Sequence, residues 1–290
     1  MAGSQITIGN VRIIGLSDAV LAHPLTLDWL FPSVPAEEWE GYRQGYPDAF
    51  VGPGAWRVNV GCYLIRSLDK TILVDTGIGA AGGEIANSFK IPGGGLLLEK
   101  LRSLSLRPED VDVVFLTHLH RDHVGWNVIQ EDGRRRRTFS RARYIVHQAD
   151  WETFHRPEVQ AAWSLTHLEQ AVTALETLGG LELISGDLNI TDEVKAIHTP
   201  GHTPGHMSVL VVSRARSAVI TGDVIVHPAQ VANADCAFGF DMDVQGARQT
   251  RHRLLDRIEA EGITVLGGHF PKPGYGRLVR EAGRRYWQAL

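Results

Sequence analysis

The chain contains little cysteine and no long apolar segment. Its 290 residues include only Cys62 and Cys236, too few for a disulfide framework and without the paired spacing of a thiolate metal site. We expect both thiols to be small buried groups. No stretch approaches the roughly 18 consecutive apolar residues that cross a bilayer, and residues 1–14 lack the basic region and apolar stretch of a leader peptide. No membrane association is therefore expected, and a cytoplasmic location is the default unless a leader has been removed.

An excess of charge of one sign is also absent. The chain has 29 Lys and Arg against 33 Asp and Glu, which gives a formal net charge of −4. This near balance offers nothing that would recruit nucleic acid, so the expected partner is a small neutral or weakly charged molecule. Internal repeats, low-complexity tracts and linker-like boundaries are missing as well, and residues 1–290 are expected to form one domain.

What the sequence does contain is an alternation of short β-branched runs with turn signals and helical patterns. This alternation predicts an α/β (α+β) chain of layered strands and helices. Strands are predicted at residues 11–16, 58–65, 71–75, 111–117, 142–147, 193–199, 207–213, 217–223 and 263–268. Helices are predicted at residues 159–178 and after Asp243, where Ala247, Leu254, Leu255 and Ile258 share one face and Gly262 ends the helix.

Three other segments are less regular. Residues 22–56 form an arm rich in Pro, Gly and aromatic residues with weak periodicity, which fits either an irregular packing arm or a lid and partner surface. Residues 276–290 fit either a helix or a terminal hairpin, and Gly283 between β-prone residues favours the hairpin. The arginines at residues 134–137 are expected to form a solvated hairpin tip, and His147, His155 and His167 to be strand or helix residues without a metal role.

One short run carries a metal-site pattern. Residues 118–123 read His-Leu-His-Arg-Asp-His and follow an apolar strand, so they lie where loops build sites. Strand alternation points His118 and His120 the same way, and two imidazoles at that spacing can hold one divalent ion. Once the chain turns, Asp122 and His123 can face a second ion. The run therefore predicts two neighbouring metals.

Three later segments add candidate ligands after predicted strands. The tight turn at residues 199–206 carries His202 and His206, which compete for one ligand position. Asp223 is the last residue of the predicted strand at residues 217–223, and its carboxylate could bridge two cations. His269 follows the apolar strand at residues 263–268.

In order, the motifs LVDTG (73–77), HLHRDH (118–123), TPGHTPGH (199–206), TGD (221–223) and GGHF (267–270) resemble the metallo-β-lactamase superfamily. The resemblance implies a four-layer αββα sandwich with the metals at one edge between two central sheets. It implies that His118, His120 and His202 bind the first metal, that Asp122, His123 and His269 bind the second, and that Asp223 bridges them. It further implies that Asp75 orients a neighbouring histidine and that His206 is a supporting residue.

Within that superfamily, residues 122–127, 222–230, 239–256 and 269–278 look most similar to the branch of N-acyl-homoserine lactonases and methyl parathion hydrolase. The match departs at one position, because the lactonases carry a tyrosine where this chain has Val226. The resemblance also implies a homodimer. Substrate contacts are expected from Trp126, Val226, His227 and Phe31, and more broadly from the aromatic arm with Trp29 and from residues 227–240. Core packing is the alternative for each aromatic side chain, and a surface position is the alternative for His227.

The predicted function is a dinuclear metal-dependent hydrolase. Two divalent ions lower the pKa of a shared water, and the resulting hydroxide would open a lactone or cleave an ester. Asp122 and Asp223 are the carboxylates expected to take part in catalysis. Zinc is the default metal for such ligands, with manganese, cobalt or iron as alternatives. Alternative functions are an organophosphate triester hydrolase of the methyl parathion hydrolase type and an iron-dependent oxidoreductase on the same fold. A third alternative is a non-catalytic relative that uses the fold as an interaction surface, but such relatives usually lose metal ligands and this chain retains the full set.

Overall fold

The computed structural model describes residues 4–52 and 54–290. The strands are β1 Gln5–Ile8, β2 Val11–Ala22, β3 Phe50–Val51, β4 Ala55–Ser67, β5 Lys70–Val74, β6 Val113–Phe115, β7 Val128–Glu131, β8 Arg134–Arg137, β9 Arg143–His147, β10 Leu181–Ile184, β11 Leu188–Asn189, β12 Val194–His198, β13 Met207–Ser213, β14 Arg216–Ile220, β15 Thr264–Leu266, β16 Tyr275–Glu281 and β17 Arg284–Ala289.

The α-helices are α1 Leu27–Leu30, α2 Glu38–Gly45, α3 Glu84–Ser88, α4 Leu97–Ser103, α5 Arg121–Val124, α6 Gln148–Phe154, α7 Pro157–Trp163, α8 Ala174–Leu178, α9 Ala229–Ala232 and α10 Val244–Glu261. Short 3₁₀ turns cover Pro47–Ala49, Pro108–Asp110 and Gly222–Val224, and a π-helical turn covers Glu169–Thr173. Among the described residues, no helix combines the length and the apolar character that a membrane span requires.

Two central sheets form the frame. One has the strand order β1-β2-β4-β5-β6-β9-β10, with β3 also paired to β4, and the other has the order β11-β12-β13-β14-β15-β16-β17. Strands β5, β6, β9 and β10 pair in parallel, as do β14 and β15, while the remaining pairs of both sheets are antiparallel. The predicted terminal hairpin is confirmed as β16 and β17.

Strand alternation explains the layers. Along β5, Ile72 and Val74 enter the core between the two sheets, whereas Leu73 points to the opposite face and packs with helices such as α4. Along β14, Ile220 faces the same inter-sheet core, and Val219 packs outward with the apolar face of α10. Helices therefore cover both outer faces of the paired sheets. The predicted four-layer αββα sandwich is confirmed.

Helix α10 follows the prediction closely. Its N-cap Asp243 accepts from the backbone N–H of Gly246, and Gly262 ends it with a left-handed φ of 62°. Its predicted apolar face is buried, namely Ala247, Leu254, Leu255 and Ile258. Both cysteines are buried and free, also as predicted.

The single helix predicted at residues 159–178 was wrong. Helix α7 ends at Trp163, and the next residue, Ser164, caps it with a left-handed φ of 52°. After this break Leu165 and Leu168 turn into the core before the chain becomes helical again. The apolar pattern correctly predicted that these leucines are buried, but it did not predict the interruption of the helix at Ser164.

The arginines at residues 134–137 do not form a hairpin tip. They make up strand β8, which pairs antiparallel with β7. The turn itself lies at Asp132 and Gly133, both with positive φ, at 51° and 73°. The sequence prediction therefore placed the turn at residues 134–137, two residues after its true start at Asp132.

The arm at residues 22–56 includes Pro53, which lies outside the described residues. Its helices α1 and α2 pack through an aromatic cluster against the segment that follows Asp223. The buried rings of this cluster include Phe31, Trp39 and Trp56. The arm is therefore a packing element along most of its length.

Candidate metal centre

The candidate metal ligands all follow carboxyl ends of strands. Strand β6 leads into the run at residues 118–123, β12 into the turn at residues 199–206, β14 into Asp223 and β15 into His269. Since these strand ends meet at one edge of the two sheets, side chains far apart in sequence converge there. The structure brings all seven predicted ligands together.

Three imidazoles form the first group, here called the histidine trio: His118, His120 and His202. The Nε2 atom of His118 lies 3.1 Å from Nδ1 of His120, which in turn lies 2.9 Å from Nε2 of His202. Such convergence of ring nitrogens is what one divalent ion at about 2.0–2.1 Å from each nitrogen would need. Burial and the neighbouring imidazoles hold the pKa values of His118 and His120 well below the usual range, which keeps these rings in the neutral, ligating form.

The second group, here called the mixed trio, is Asp122, His123 and His269. The Oδ2 atom of Asp122 lies 3.7 Å from Nε2 of His123 and 3.5 Å from Nε2 of His269. All three ligand atoms fall within 4.8 Å of one another. One carboxylate oxygen and two imidazole nitrogens suit zinc and similar divalent ions.

Asp223 stands between the two trios. Its Oδ2 atom faces the histidine trio, 3.4 Å from Nε2 of His202 and 3.8 Å from Nε2 of His118. Its Oδ1 atom faces the mixed trio, 3.3 Å from Nε2 of His269 and 3.6 Å from Nε2 of His123. One carboxylate thus presents a separate oxygen to each group, which is the geometry of a bridging ligand.

Two buried polar atoms test whether a cation fits. Nε2 of His123 and Oδ1 of Asp223 have no hydrogen-bond partner among the described residues. Unpartnered atoms of this kind are costly unless a ligand satisfies them. Burial would lower the pKa of His123, but the carboxylates of Asp122, Asp75 and Asp223 raise it to about 10. A negative field that retains a proton this strongly also favours a metal cation at the same place.

Partners on the far side of each ring fix which nitrogen is free. Nδ1 of His123 donates to Oδ2 of Asp75 at 2.8 Å, which leaves Nε2 for the mixed trio. Asp75 has a left-handed φ of 62° and also accepts from the Thr117 backbone and hydroxyl. That hydroxyl lies 3.0 Å from Nδ1 of His118. His269 donates from Nδ1 to the Asn59 carbonyl at 2.8 Å.

A carboxylate that the sequence prediction missed supports His202. Oδ1 of Asp241 lies 3.1 Å from Nδ1 of His202, and its Oδ2 accepts from the Arg251 guanidinium at 3.3 Å. Arg251 is fully buried and also donates to the carbonyls of Val224 and Cys236. Arg251 therefore links the ligand His202 to the segment after Asp223. Nothing in the spacing of Asp241 distinguishes it from other aspartates.

His206 supports the bridge instead of joining a trio. Its Nε2 accepts from the backbone N–H of Asp223 at 2.9 Å, and its Nδ1 donates to the Thr199 hydroxyl at 2.9 Å. Gly222 is required beside it, because a Cβ at that φ of 52° would lie 2.5 Å from Nε2 of His206. The structure thus separates the two histidines that compete in the sequence.

Asp150 connects the two histidine-bearing loops. This buried carboxylate accepts from the Thr203 hydroxyl at 2.8 Å and from the Gly205 backbone at 2.5 Å, and it also bonds to the backbone of Leu119. Burial raises its pKa to about 7 despite these hydrogen bonds. It holds residues 118–120 and 199–206 in register.

A cavity of about 330 Å³ opens directly above the centre. Five of the predicted ligands border it: His120, Asp122, His202, Asp223 and His269. The remainder of its lining, here called the cavity wall, is mostly apolar and consists of Leu21, His23, Pro24, Leu25, Trp56, Val58, Val60, Ser88, Phe89, Arg121, Trp163, Leu165, His167, Phe238 and Phe240. These five ligands form the polar floor of the cavity, which therefore lies beneath a mostly apolar cavity wall.

The four side chains predicted to contact substrate lie elsewhere. Phe31 and Val226 are fully buried in the arm's aromatic cluster. Burial in this cluster is favourable because both side chains are apolar and need no hydrogen-bond partner. His227 is also fully buried, with Phe31 and other rings within 5.9 Å, and burial lowers its pKa to about 3. Trp126 donates from Nε1 to the buried carboxylate of Asp18 at 2.9 Å. None of the four belongs to the described lining of the cavity.

The wall residues gave weak signals in the sequence. Strand β2 extends to Ala22, but Ser17 and Asp18 interrupt its apolar pattern at a register shift, so the predicted strand stopped at residue 16. Leu21 and His23 were consequently not placed beside the metals. Phe238 and Phe240 belong to residues 227–240, a segment that the sequence offered as a candidate for substrate contact, and both side chains border the cavity.

Comparison with known proteins agrees with this geometry. Residues 55–269 match the family model described as Metallo-beta-lactamase superfamily. An N-acyl homoserine lactonase from Bacillus sp is 28% identical over 222 residues, which are 72% of this chain and 80% of the relative. The N-acyl homoserine lactonase AiiB from Agrobacterium fabrum is 27% identical over 228 residues, 73% of this chain and 79% of the relative.

Two solved structures are similar over the full chain. The hydrolase AbOPH in the beta lactamase superfamily has a TM-score of 0.83 at 25% identity and covers 100% of this chain and 98% of its own. AidC, a dizinc quorum-quenching lactonase in complex with a product, has a TM-score of 0.80 at 21% identity, covering 100% of this chain and 97% of its own. The second likeness concerns the fold alone.

The family model spans every predicted ligand and most of the chain, and the named relatives are hydrolases. The chain belongs to the metallo-beta-lactamase superfamily and is a metal-dependent hydrolase with a dinuclear metal site.

Proposed function

We propose that this enzyme opens a lactone or cleaves a carboxylic ester. The observation that carries the proposal is the placement of Asp223, with one oxygen toward each trio, at the floor of an apolar cavity of about 330 Å³. Two divalent ions bound there would depress the pKa of a shared water toward neutrality and polarise the substrate carbonyl. The reaction then needs no Ser or Cys nucleophile.

The proposed ligand roles follow the two groups. The histidine trio holds the first ion, the mixed trio holds the second, and Asp223 bridges them. Asp75 and Asp241 orient His123 and His202 through their Nδ1 atoms. Zinc is the proposed metal, because imidazole and carboxylate ligands without thiolate suit it, and manganese, cobalt and iron remain alternatives.

The cavity wall supports a substrate with an apolar portion. Trp56, Trp163 and Phe240 border the cavity together with aliphatic side chains, so an acyl chain or aryl group would be removed from water there. Several relatives are N-acyl homoserine lactonases, which makes acyl lactones the leading candidates. We place substrate contact on these wall residues and no longer on Phe31, Trp126, Val226 and His227.

A substrate panel tests the proposal. The purified enzyme, loaded with zinc, is assayed on N-acyl homoserine lactones of increasing chain length, simple lactones, aryl esters and methyl parathion. We expect the highest kcat/KM on a lactone or ester carrying an apolar group, and loss of that activity on chelation. Absence of hydrolysis of every lactone and ester, in enzyme shown to contain metal, would reject the proposal.

Organophosphate triesters are the second candidate. The aromatic wall can pack an aryl leaving group, and the same two-metal floor can act on a phosphoryl centre. A higher kcat/KM on methyl parathion than on any carboxylic ester would favour this alternative. Iron content with oxygen consumption on a persulfide would instead revive the oxidoreductase hypothesis. The implied homodimer stays a prediction, which light scattering of the full chain would test.

A further inference from the structure

His23 occupies a fixed position at the edge of the cavity. Its backbone N–H donates to the Trp56 carbonyl at 2.8 Å, which continues the pairing of β2 with β4 by one residue. Strand alternation then places its side chain on the same face as Leu21, and both border the cavity. A group at the end of a paired strand is held more rigidly than one on a free loop.

Contacts within the arm also fix the orientation of the ring. Nδ1 of His23 accepts from the Leu25 backbone N–H at 3.2 Å. The ring stacks on Trp56, with centroids 5.8 Å apart and an interplanar angle of 20°, and lies 6.0 Å from the ring of Phe240. Because Nδ1 is an acceptor, a neutral His23 carries its proton on Nε2. In the part of the chain that the structure describes, no group accepts from that Nε2.

The other polar wall side chains offer no comparable donor. Nε1 of Trp56 and Nδ1 of His167 have no hydrogen-bond partner among the described residues, but both atoms are buried from solvent. The Ser88 hydroxyl donates to the Ile85 carbonyl at 2.7 Å, and Nε2 of His167 lies 3.0 Å from the Leu119 carbonyl. Arg121 is a cation whose guanidinium donates to the Ser164 carbonyl. Burial lowers the pKa of His23 to about 4, so its ring is neutral and presents a free N–H at the cavity wall.

His23 also lies close to the metal centre. Trp56, on which it stacks, meets the ring of His269 edge-on with centroids 5.9 Å apart. His23, Asp122 and His269 border the same cavity. A substrate whose reacting group rests on the mixed trio would therefore occupy the same cavity as the His23 ring.

We propose that His23 donates a hydrogen bond from Nε2 to an oxygen of the reacting ester or lactone group. This inference rests on the proposed function and adds a catalytic residue outside the metal ligands. Negative charge grows on that oxygen as water attacks the carbonyl carbon, so a positioned donor stabilises the transition state more than the bound substrate. The donor acts as a neutral group and neither gains nor loses its proton.

Three substitutions separate this role from a structural one. In His23→Gln, the amide N–H can reach the position of Nε2, whereas in His23→Asn the side-chain oxygen can replace Nδ1 as acceptor for Leu25 but no donor reaches the cavity. His23→Phe keeps only the stacked ring. We expect His23→Asn and His23→Phe to lower kcat by about 10²-fold with little change in KM, and His23→Gln to retain most of the activity.

The assay uses N-hexanoyl homoserine lactone and phenyl acetate with zinc-loaded full-length enzyme. Metal content and the thermal midpoint are measured for each variant, and His252→Asn, on the exposed ring that pairs with Asp235, is the matched control. If the role is only to anchor the Leu25 loop, His23→Asn will be more active than His23→Gln, which overturns the inference. Equal activity of all variants overturns it too.

Failure of the proposed function and failure of the proposed role of His23 give different results. If the wild-type enzyme hydrolyses neither these substrates nor any other lactone or ester of the panel, the proposed function fails. If the wild-type enzyme is active and the three His23 variants match it, only the role of His23 fails.

Discussion

The floor and the wall of the cavity are built in opposite ways. On the floor, ligands are held by specific polar partners, as His123 is by Asp75 and His202 is by Asp241. On the wall, side chains such as Trp163, Leu165 and Phe240 contribute shape and apolar surface. The contrast teaches that the reaction depends on a few directed contacts, while the choice of substrate depends on the summed packing of several segments.

The two regions also come from different parts of the fold. Ligands sit at the carboxyl ends of strands in the two paired sheets, where the backbone is fixed by its neighbours. The wall draws on the end of β2, on the broken helical region around Ser164 and on the segment with Phe238. A change on the floor should therefore alter turnover with every substrate, and a change on the wall should alter the ranking of substrates.

The largest expected effect is that of Asp223→Ala, which removes the one side chain shared by both trios. Loss of a ligand that faces both metal positions should lower kcat/KM by about 10³-fold or more on all substrates, since bound metals supply several kcal/mol of transition-state stabilisation. Metal content by mass spectrometry should fall in parallel. A variant that keeps two metals and wild-type kcat/KM would contradict the claim that the ligands of the floor carry the reaction.

Asp241→Asn should have an intermediate effect. The amide keeps the size of the carboxylate but loses the charge that faces Nδ1 of His202 and the Arg251 guanidinium. We expect metal affinity or kcat to fall by about 10–100-fold, as for other groups that orient metal-binding histidines.

The matched control for that measurement is Asp235→Asn, on a surface carboxylate that pairs with His252. Competition with a zinc indicator measures affinity for both variants. Equal metal affinity and kcat in the two variants would mean that orientation of His202 by Asp241 contributes nothing to the floor.

Trp163→Ala should act on the wall alone. The Trp163 ring borders the cavity, 6.2 Å from that of His120. Its removal should raise KM for long-chain acyl lactones by about tenfold, because burial of one aromatic contact is worth about 1–2 kcal/mol. KM for short-chain lactones and the metal content should change little. A uniform loss of kcat across chain lengths would instead assign Trp163 to the floor.

Trp29→Ala should have the smallest effect. This side chain is 47% exposed, meets the ring of Phe240 edge-on at 5.0 Å and packs beside Gly239. Surface substitutions usually change free energies by about 0.5 kcal/mol or less, so kcat/KM should stay within about twofold. A large change in the preference for acyl-chain length would show that helix α1, which carries Trp29, also contacts the substrate.

The floor could be predicted from sequence because its pattern is local. The spacing of residues 118–123 fixes four ligands by strand alternation and one turn, and the remaining ligands each follow a recognisable apolar strand. The choice between His202 and His206 needed the structure, since both histidines occupy the same tight turn. So did the role of Asp241, which is brought to His202 by the packing of Arg251.

Apart from residues 227–240, which contribute Phe238 and Phe240, the wall could not be predicted because it depends on contacts between distant segments. Trp126 and His227 are close in sequence to ligands, yet their side chains point into packing clusters. His23, about a hundred residues away from the metal run, borders the same cavity as Asp122. Nor could the pattern register the left-handed Ser164, which divides a predicted helix and brings Trp163 and Leu165 to the cavity.

The central claim is that two metals on one floor perform the hydrolysis. The direct measurement is a zinc titration of chelator-treated enzyme, followed by lactone hydrolysis and by metal analysis at each point. The account predicts no activity without metal and a rise that ends at two zinc ions per chain in wild-type enzyme. Full activity without metal, or a rise complete at one ion per chain, would contradict it.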